Sequence, residues 1–162
     1  VDLAEQICSD KSQKLVIFST FKDSANQLYQ KLSKYHPVLC TGDVGDMQIE
    51  DNKQMFQNDD EHQIFIATWQ KCGTGITLTR ASTAIFIDVP WTQANFCQAQ
   101  DRIYRIGSKN PVFIYHLITR DTVDEKVRQI VEDKALIGEY IIDDKITPQL
   151  ATRLQEIILD LQ

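Results

Sequence analysis

The sequence predicts an α/β fold in which helices flank a parallel sheet. Short runs of consecutive apolar residues recur along the chain, and they do not alternate with polar residues. Such runs are typical of strands that are buried on both faces of a sheet. Between them lie segments with apolar residues at helical spacing, and no internal repeat interrupts the pattern. Strands that alternate with helices in this way favour a parallel sheet with helices on both faces.

The second predicted strand is closed by the turn at Gly42 and Asp43, and the fourth is stopped by Pro90. In chain order the predicted strands occupy 14–20, 37–41, 63–68, 83–88 and 111–118.

The predicted helices follow from apolar residues spaced three or four positions apart. They comprise a turn or two within 1–13, then 22–35, about 48–56, 91–106 and 121 to about 137. The side chains expected to face the core are Ala25, Leu28, Tyr29 and Leu32 in the second helix and Val123, Val127, Ile130, Val131 and Leu136 in the last. We divide the chain into a lobe, 1–142, and a hinge with a C-terminal helix, 143–162, whose apolar positions favour packing over a partner interface.

Composition excludes some classes of protein. A chain of 162 residues is expected to form one domain with its own core, and its first residue, Val1, indicates a fragment or a processed chain. No apolar run approaches a membrane span and no secretory signal opens the sequence, so no membrane partner is expected. The 4 cysteines form no Cys-x-x-Cys pair, which predicts reduced thiols and no metal site. The net charge of −6 argues against coating nucleic acid by bulk charge but permits a local basic strip.

The segment 98–107 carries the side chains best suited to binding a polyanion. Arg102 and Arg105 are three positions apart and Gln98 lies one turn earlier, so on a helix they share one face. A guanidinium presents a planar fork of donors that matches phosphate oxygens. Ile103 and Ile106 would then face the core. The alternative is an amphipathic helix whose arginines are merely solvated, and spacing alone does not decide between the two.

Together with its neighbours, this segment resembles motif VI of superfamily-two helicases in the form found in Swi/Snf-like ATPases. The residues that carry the resemblance are Gln98, Asp101, Arg102, Arg105 and Gly107. Further segments follow the order of motifs in that family. Segment 14–21 is similar to motif IV, 65–78 to motif V, 88–92 to the Asp-x-x-Trp-Asn-Pro lead-in, and 121–127 to a helix that braces the lobe.

The resemblance implies the C-terminal RecA-like lobe of such an ATPase, a lobe of the P-loop NTPase type without its own P-loop and with a C-terminal helical extension. The sequence contains no Gly-x-x-x-x-Gly-Lys-Ser/Thr and no Asp-Glu pair after a hydrophobic strand. ATP and Mg²⁺ would therefore be bound mainly by an N-terminal RecA-like lobe of the same protein. The isolated chain is expected not to hydrolyse ATP. The complete protein would be a DNA-dependent ATPase of the helicase, translocase or chromatin-remodelling kind, with double-stranded DNA as partner.

The functional positions of the family carry over to particular residues. Arg102 and Arg105 correspond to arginine fingers, the catalytic groups supplied across a cleft. The residues expected at ATP are Gln98, Gly73, Gly75 and Asp101. The residues expected at DNA are Ser19, Thr20, Gly42, Thr68 and Trp69. Trp69 stands where the family has a hydroxyl residue, so it is expected either to stack on a base or sugar or to pack within the lobe.

Two other interpretations stay open. Another superfamily-two motor, such as an RNA helicase or a restriction-system subunit, is disfavoured by Trp91 and by the Arg-Ile-Gly ending of the arginine segment. A non-catalytic binding or interaction module, whose motor residues survive only as scaffold, is the alternative from a different class. The expected location is the nucleus in a eukaryote, or the cytoplasm near the nucleoid for a bacterial or phage protein.

Overall fold

The computed structural model describes residues 1–72, 78–88, 103, 112–143, 148 and 152, with the backbone alone described for 70, 72 and 135–143. The strands are β1 Leu15–Ser19, β2 Val38–Cys40, β3 Ile64–Thr68, β4 Thr83–Phe86 and β5 Phe113–His116. The helices are α1 Asp2–Cys8, α2 Lys22–Lys31, α3 Asp46–Asn58, α4 Trp69–Cys72 and α5 Val123–Asp143, with a 3₁₀ turn at Ser33–Tyr35. Among the described residues, no helix is long and apolar enough to cross a membrane.

The strands form a parallel sheet in the order β2-β3-β1-β4-β5. The register pairs Ser19 of β1 with Thr68 of β3, and Phe18 of β1 with Phe86 of β4. The carboxyl ends of these three strands therefore lie side by side at one edge of the sheet. The predicted fold class, a parallel sheet flanked by helices, is confirmed.

Two apolar clusters cover the two faces of the sheet. Val16 and Phe18 of β1 point into one cluster, which also contains Phe56 of α3. Leu15 and Ile17 point into the other, against α1 and α2. Consecutive residues of β1 thus face opposite clusters, and all five are buried, as expected for a strand with helices on both sides.

Some predicted details were wrong. The helix expected over 22–35 ends at Lys31 and passes into the 3₁₀ turn, and the helix expected from 48 begins at Asp46. Three side chains expected in the core are exposed, namely Tyr29 at 42%, Val123 at 62% and Ile130 at 49%. Periodicity marked the apolar face correctly at Val127 and Val131, but it does not show how wide a stripe the sheet can cover.

Several predicted features lie outside the described residues. These are most of the 91–106 helix, the hinge over 143–148 and nearly all of the C-terminal helix. Ile103 is described, and it is helical and fully buried in the cluster that contains Phe86. Its predicted place in the core is confirmed.

Candidate functional site

The carboxyl edge of the sheet is organised around the carboxylate of Asp88, which follows β4. Thr20 donates to it twice, from its backbone N–H at 2.8 Å and from its hydroxyl at 2.6 Å. The hydroxyl of Ser19 lies 2.9 Å from the same carboxylate, and the indole N–H of Trp69 lies 3.2 Å from it. Asp88 therefore ties together the ends of β1 and β4 and the start of α4.

These contacts restrict what the predicted DNA-binding hydroxyls can do. Ser19 is fully buried, and its one proton is shared between Asp88 and the carbonyl of Phe21 at 3.0 Å. The one hydroxyl proton of Thr20 is donated to Asp88. Neither hydroxyl has a proton left for a phosphate oxygen while Asp88 stays in place. Half-buried Thr20 is the one of the two that reaches the surface.

Trp69 lies in an aromatic cluster below this edge. Trp69 is 8% exposed, and its ring stacks on Phe18 and Phe86, with centroids 5.4 and 4.9 Å apart. On the far side of Phe86 the ring of His116 stacks, with the two ring centroids 5.0 Å apart. Burial, and to a smaller extent the charge of Arg128, lowers the pKa of His116. The structure places Trp69 in a packing role, one of the two roles expected from the sequence. Stacking on a base stays a prediction that requires the ring to leave this cluster.

Among the described residues of the edge, the loop after β2 is open to solvent. Gly42 is exposed, and a Cβ atom at this position would meet no other atom within 4 Å. Ion pairs hold the loop and the adjoining start of α3: Lys22 of α2 pairs with Asp43, and Lys71 of α4 lies 2.7 Å from Asp46. The hydrogen bond from Lys71 lowers the pKa of Asp46. Because these pairs face solvent, they contribute little to stability.

The remaining predicted site residues are less accessible or lie elsewhere. Thr68 is 4% exposed at the end of β3, beside Ser19. The predicted ATP and arginine-finger positions, Gly73, Gly75, Gln98, Asp101, Arg102 and Arg105, lie outside the described residues. Within the part of the chain that the structure describes, no group of three or more His, Cys, Asp or Glu side chains could hold a metal ion.

Sequence reasoning missed the central role of Asp88. The residue was noticed only as the first position of a family lead-in motif. A signal was available, because a carboxylate at the carboxyl end of a buried strand lies where polar groups of neighbouring strands converge. The residues that donate to it are distant in sequence, so their identity required the sheet order.

The fold and the site define a class of protein. An open, parallel α/β sheet flanked by helices, with polar groups collected at its carboxyl edge, is the architecture of a RecA-like lobe. Comparison with known proteins identifies the family.

The family described as the helicase conserved C-terminal domain matches residues 1–107. The DNA excision repair protein ERCC-6-like of Mus musculus is 35% identical over 132 residues, which cover 78% of this chain and 11% of that protein. ATP-dependent helicase FUN30 of Saccharomyces cerevisiae is 31% identical over 166 aligned residues, which cover 98% of this chain and 15% of that protein. The solved C-terminal part of the Fun30 ATPase domain superposes with a TM-score of 0.73 at 29% identity, over 80% of this chain and 42% of that one.

The chain therefore belongs to the helicase conserved C-terminal domain family. The resemblance to the C-terminal RecA-like lobe of Swi/Snf-like superfamily-two ATPases is confirmed. The chain spans only 11–15% of the length of the two curated relatives named above.

Proposed function

We propose that this chain is the second motor lobe of an ATP-dependent translocase that moves along double-stranded DNA. The observation that carries the proposal is the match of residues 1–107 to the helicase C-terminal domain, on a fold shared with part of the Fun30 ATPase domain. An N-terminal RecA-like lobe of the same protein would hold ATP and Mg²⁺.

The buried position of Ile103 supports an orientation in which the arginines face away from the core. On a helix with about 100° between residues, Gln98, Arg102 and Arg105 fall within an arc of roughly 60°. The centre of that arc lies roughly 130° from Ile103, which is fully buried. Both guanidiniums would therefore point away from the core and toward a second lobe. There they would stabilise the charge that develops on the γ-phosphoryl oxygens, as an arginine finger does.

DNA would lie along the carboxyl edge of the sheet. Gly42 is exposed in an open loop, so its backbone can approach a phosphate closely. Thr20, which follows β1, is half-buried in the proposed contact surface, whereas Ser19 and Thr68 are buried and would support that surface from below. The motor would contact mainly the sugar-phosphate backbone, which carries no sequence information.

The relatives named above are eukaryotic proteins of excision repair and ATP-dependent helicase type by their names. We therefore place the protein in the nucleus, acting on DNA there. The cytoplasmic, bacterial or phage location has no support among these relatives.

Phosphate release distinguishes a half-site from a complete enzyme. The purified chain of 162 residues is expected to show no ATP hydrolysis above background, with or without duplex DNA. A protein containing both lobes is expected to hydrolyse ATP and to do so faster with DNA. Robust DNA-stimulated turnover by the isolated chain would contradict the half-site proposal, and a two-lobed protein without DNA-stimulated turnover would contradict the motor.

A further inference from the structure

We propose that Asp88 is a positioning residue that sets how tightly the carboxyl edge binds DNA. The inference rests on the proposed function, because it concerns the same DNA-facing edge. Asp88 would not touch DNA itself. It would hold the backbone after β1 in the shape that the DNA backbone meets, by accepting hydrogen bonds from Thr20, Ser19 and Trp69.

The contacts fix one short stretch of backbone particularly well. Both carboxylate oxygens of Asp88 lie within hydrogen-bond distance of the backbone N–H of Thr20, at 2.9 and 2.8 Å. The hydroxyl of Ser19 accepts from the N–H of Phe21 at 3.0 Å while it lies 2.9 Å from Asp88. The backbone from Ser19 to Phe21, which leads from β1 into α2, is therefore held by one carboxylate.

The chemistry of this site requires a carboxylate. Every neighbour of Asp88 listed above presents a donor, and an ionised carboxylate is an acceptor only. An amide of the same shape would keep one acceptor oxygen and would turn a second donor toward groups that already donate. Asn at this position therefore changes the hydrogen bonding and the charge while it preserves the volume of the side chain.

The position of Asp88 in the chain also connects it to the arginine segment. Asp88 lies two residues after the end of β4, and the chain continues from it to Trp91 and the arginine segment. A single side chain thus joins the end of β1, which faces DNA in the proposed function, to the strand from which the catalytic arginines follow.

The charge of Asp88 allows a test in which two explanations predict opposite signs. Removing a negative charge near a phosphate backbone ordinarily strengthens binding to DNA. If Asp88 only repels DNA, or only occupies hydrogen-bond donors that phosphates of DNA would otherwise use, the Asp88→Asn variant binds DNA more tightly. If Asp88 positions the edge, the same substitution weakens binding although the protein becomes less negative.

The experiment measures DNA-stimulated ATP hydrolysis by the two-lobed protein as duplex DNA is titrated. For Asp88→Asn we expect the half-saturating DNA concentration to rise about tenfold, the factor that corresponds to about 1.4 kcal/mol. Asp43→Asn is the matched control, because it removes the same charge from an exposed loop residue of the same edge. Its half-saturating concentration should stay the same or fall.

A second pair of variants guards against simple loss of folding. Thr20→Val removes the hydroxyl that donates to Asp88 at 2.6 Å, whereas Thr20→Ser keeps it. Thr20→Val should weaken DNA binding in the same direction as Asp88→Asn, and Thr20→Ser should restore it. In the double variant the two effects should not add, because both remove one interaction.

Each outcome decides the matter. Weaker DNA binding by Asp88→Asn and Thr20→Val, at melting temperatures that leave both proteins folded, supports the positioning role. Tighter binding by Asp88→Asn, or behaviour equal to that of Asp43→Asn, overturns it. If Asp88→Asn does not fold, unchanged DNA binding by Thr20→Val, or binding by Thr20→Ser as weak as that of Thr20→Val, overturns it instead. A wild-type protein whose hydrolysis ignores DNA would mean that the proposed function fails, which is a separate result.

Discussion

The ammonium group of Lys14 lies 5.0 Å from the centre of the Phe56 ring, and both side chains are fully buried. Lys14 donates to the carbonyl oxygen of Phe56, to that of Asp59 at 2.6 Å and to that of His62 at 3.2 Å. A lysine just before β1 thus satisfies backbone acceptors at the end of α3 and in the turn that leads to β3. Burial lowers the pKa of this lysine, so its position is maintained by these contacts despite the cost of desolvation.

Lys14→Met should lower the free energy of unfolding by about 1–3 kcal/mol, the typical cost of leaving buried acceptors unsatisfied. Lys11→Met is the matched control, because Lys11 is exposed in the loop before Lys14, and it should change stability by less than about 0.5 kcal/mol. Urea unfolding followed by circular dichroism gives both values. Equal stability of the two variants would mean that the carbonyl contacts of Lys14 contribute nothing.

The second prediction concerns alkaline pH. Burial raises the pKa of Cys8 from 9.0 to about 12. The unfolded chain therefore loses this proton near pH 9 while the folded chain keeps it, so the folded state binds more protons above pH 9. The stabilisation that comes from the raised pKa of Cys8 is fully present below pH 9. It is lost as pH rises toward 12, and the free energy of unfolding falls by at most about 1.4 kcal/mol per pH unit.

Urea unfolding of wild type and Cys8→Ala at pH 7, 9 and 10 tests this. The variant is expected to be less stable at pH 7, because it loses buried volume, and the gap should narrow as pH rises. A gap that stays constant or widens would show that folding does not raise the pKa of the Cys8 thiol. Burial also lowers the pKa of Lys14, but this lysine is present in both proteins and does not affect the difference.

Trp69 offers a test of packing against base stacking. Because the sequence has only 2 tryptophans, Trp91→Phe leaves Trp69 as the sole source of indole fluorescence. Its emission should be that of a buried indole, with little quenching by acrylamide, and saturating duplex DNA should leave it unchanged. A loss of intensity on adding DNA would favour the stacking alternative, since a stacked base quenches indole.

The sequence was sufficient to predict the five strands, because each is an apolar run that needs no knowledge of its neighbours. It could not predict the strand order, and therefore could not predict that Thr20 and Trp69 both donate hydrogen bonds to Asp88. The spacing of apolar residues also placed Tyr29 in the core, although this side chain is exposed. Spacing does not show how wide a face of the helix the sheet covers. At the site, residue types were a guide to chemistry, but burial decided that Ser19 supports the edge while Gly42 lies open on it.

The arginine-finger proposal predicts a large loss of activity in the two-lobed protein. Arg102→Ala or Arg105→Ala should lower DNA-stimulated ATP turnover by roughly 10³–10⁵ if the residue acts as a full arginine finger. Arg105→Lys should recover little, because a point charge cannot reproduce the planar fork of donors. Arg80→Ala is the control. Arg80 precedes β4 and pairs with Asp60, away from the carboxyl edge, so ATP turnover by this variant should stay near wild type.

Thermal melting accompanies each arginine variant. Wild-type turnover by both Arg102→Ala and Arg105→Ala would show that the finger assignment is wrong. Failure of these two proteins to fold would show that the arginines are structural.

Binding of DNA by the isolated chain should be weak and should fall as salt rises. The net charge is −6, and one lobe is expected to make few phosphate contacts. Fluorescence anisotropy with a labelled duplex at two salt concentrations measures both properties. Tight binding that salt does not change would contradict backbone contact and favour recognition of bases.

If DNA binds this edge as proposed, its phosphates would compete with Asp43 and Asp46 for the two lysines that hold the loop after β2, Lys22 and Lys71. A phosphate that attracts Lys22 or Lys71 has to displace Asp43 or Asp46, and each displaced carboxylate then recruits a cation from solution. DNA releases about 0.9 cation for each phosphate that is neutralised, so uptake by the carboxylates offsets part of that release. The logarithm of affinity would consequently depend less steeply on the logarithm of salt concentration than the number of lysines implies, and Asp43→Asn would restore the steeper dependence.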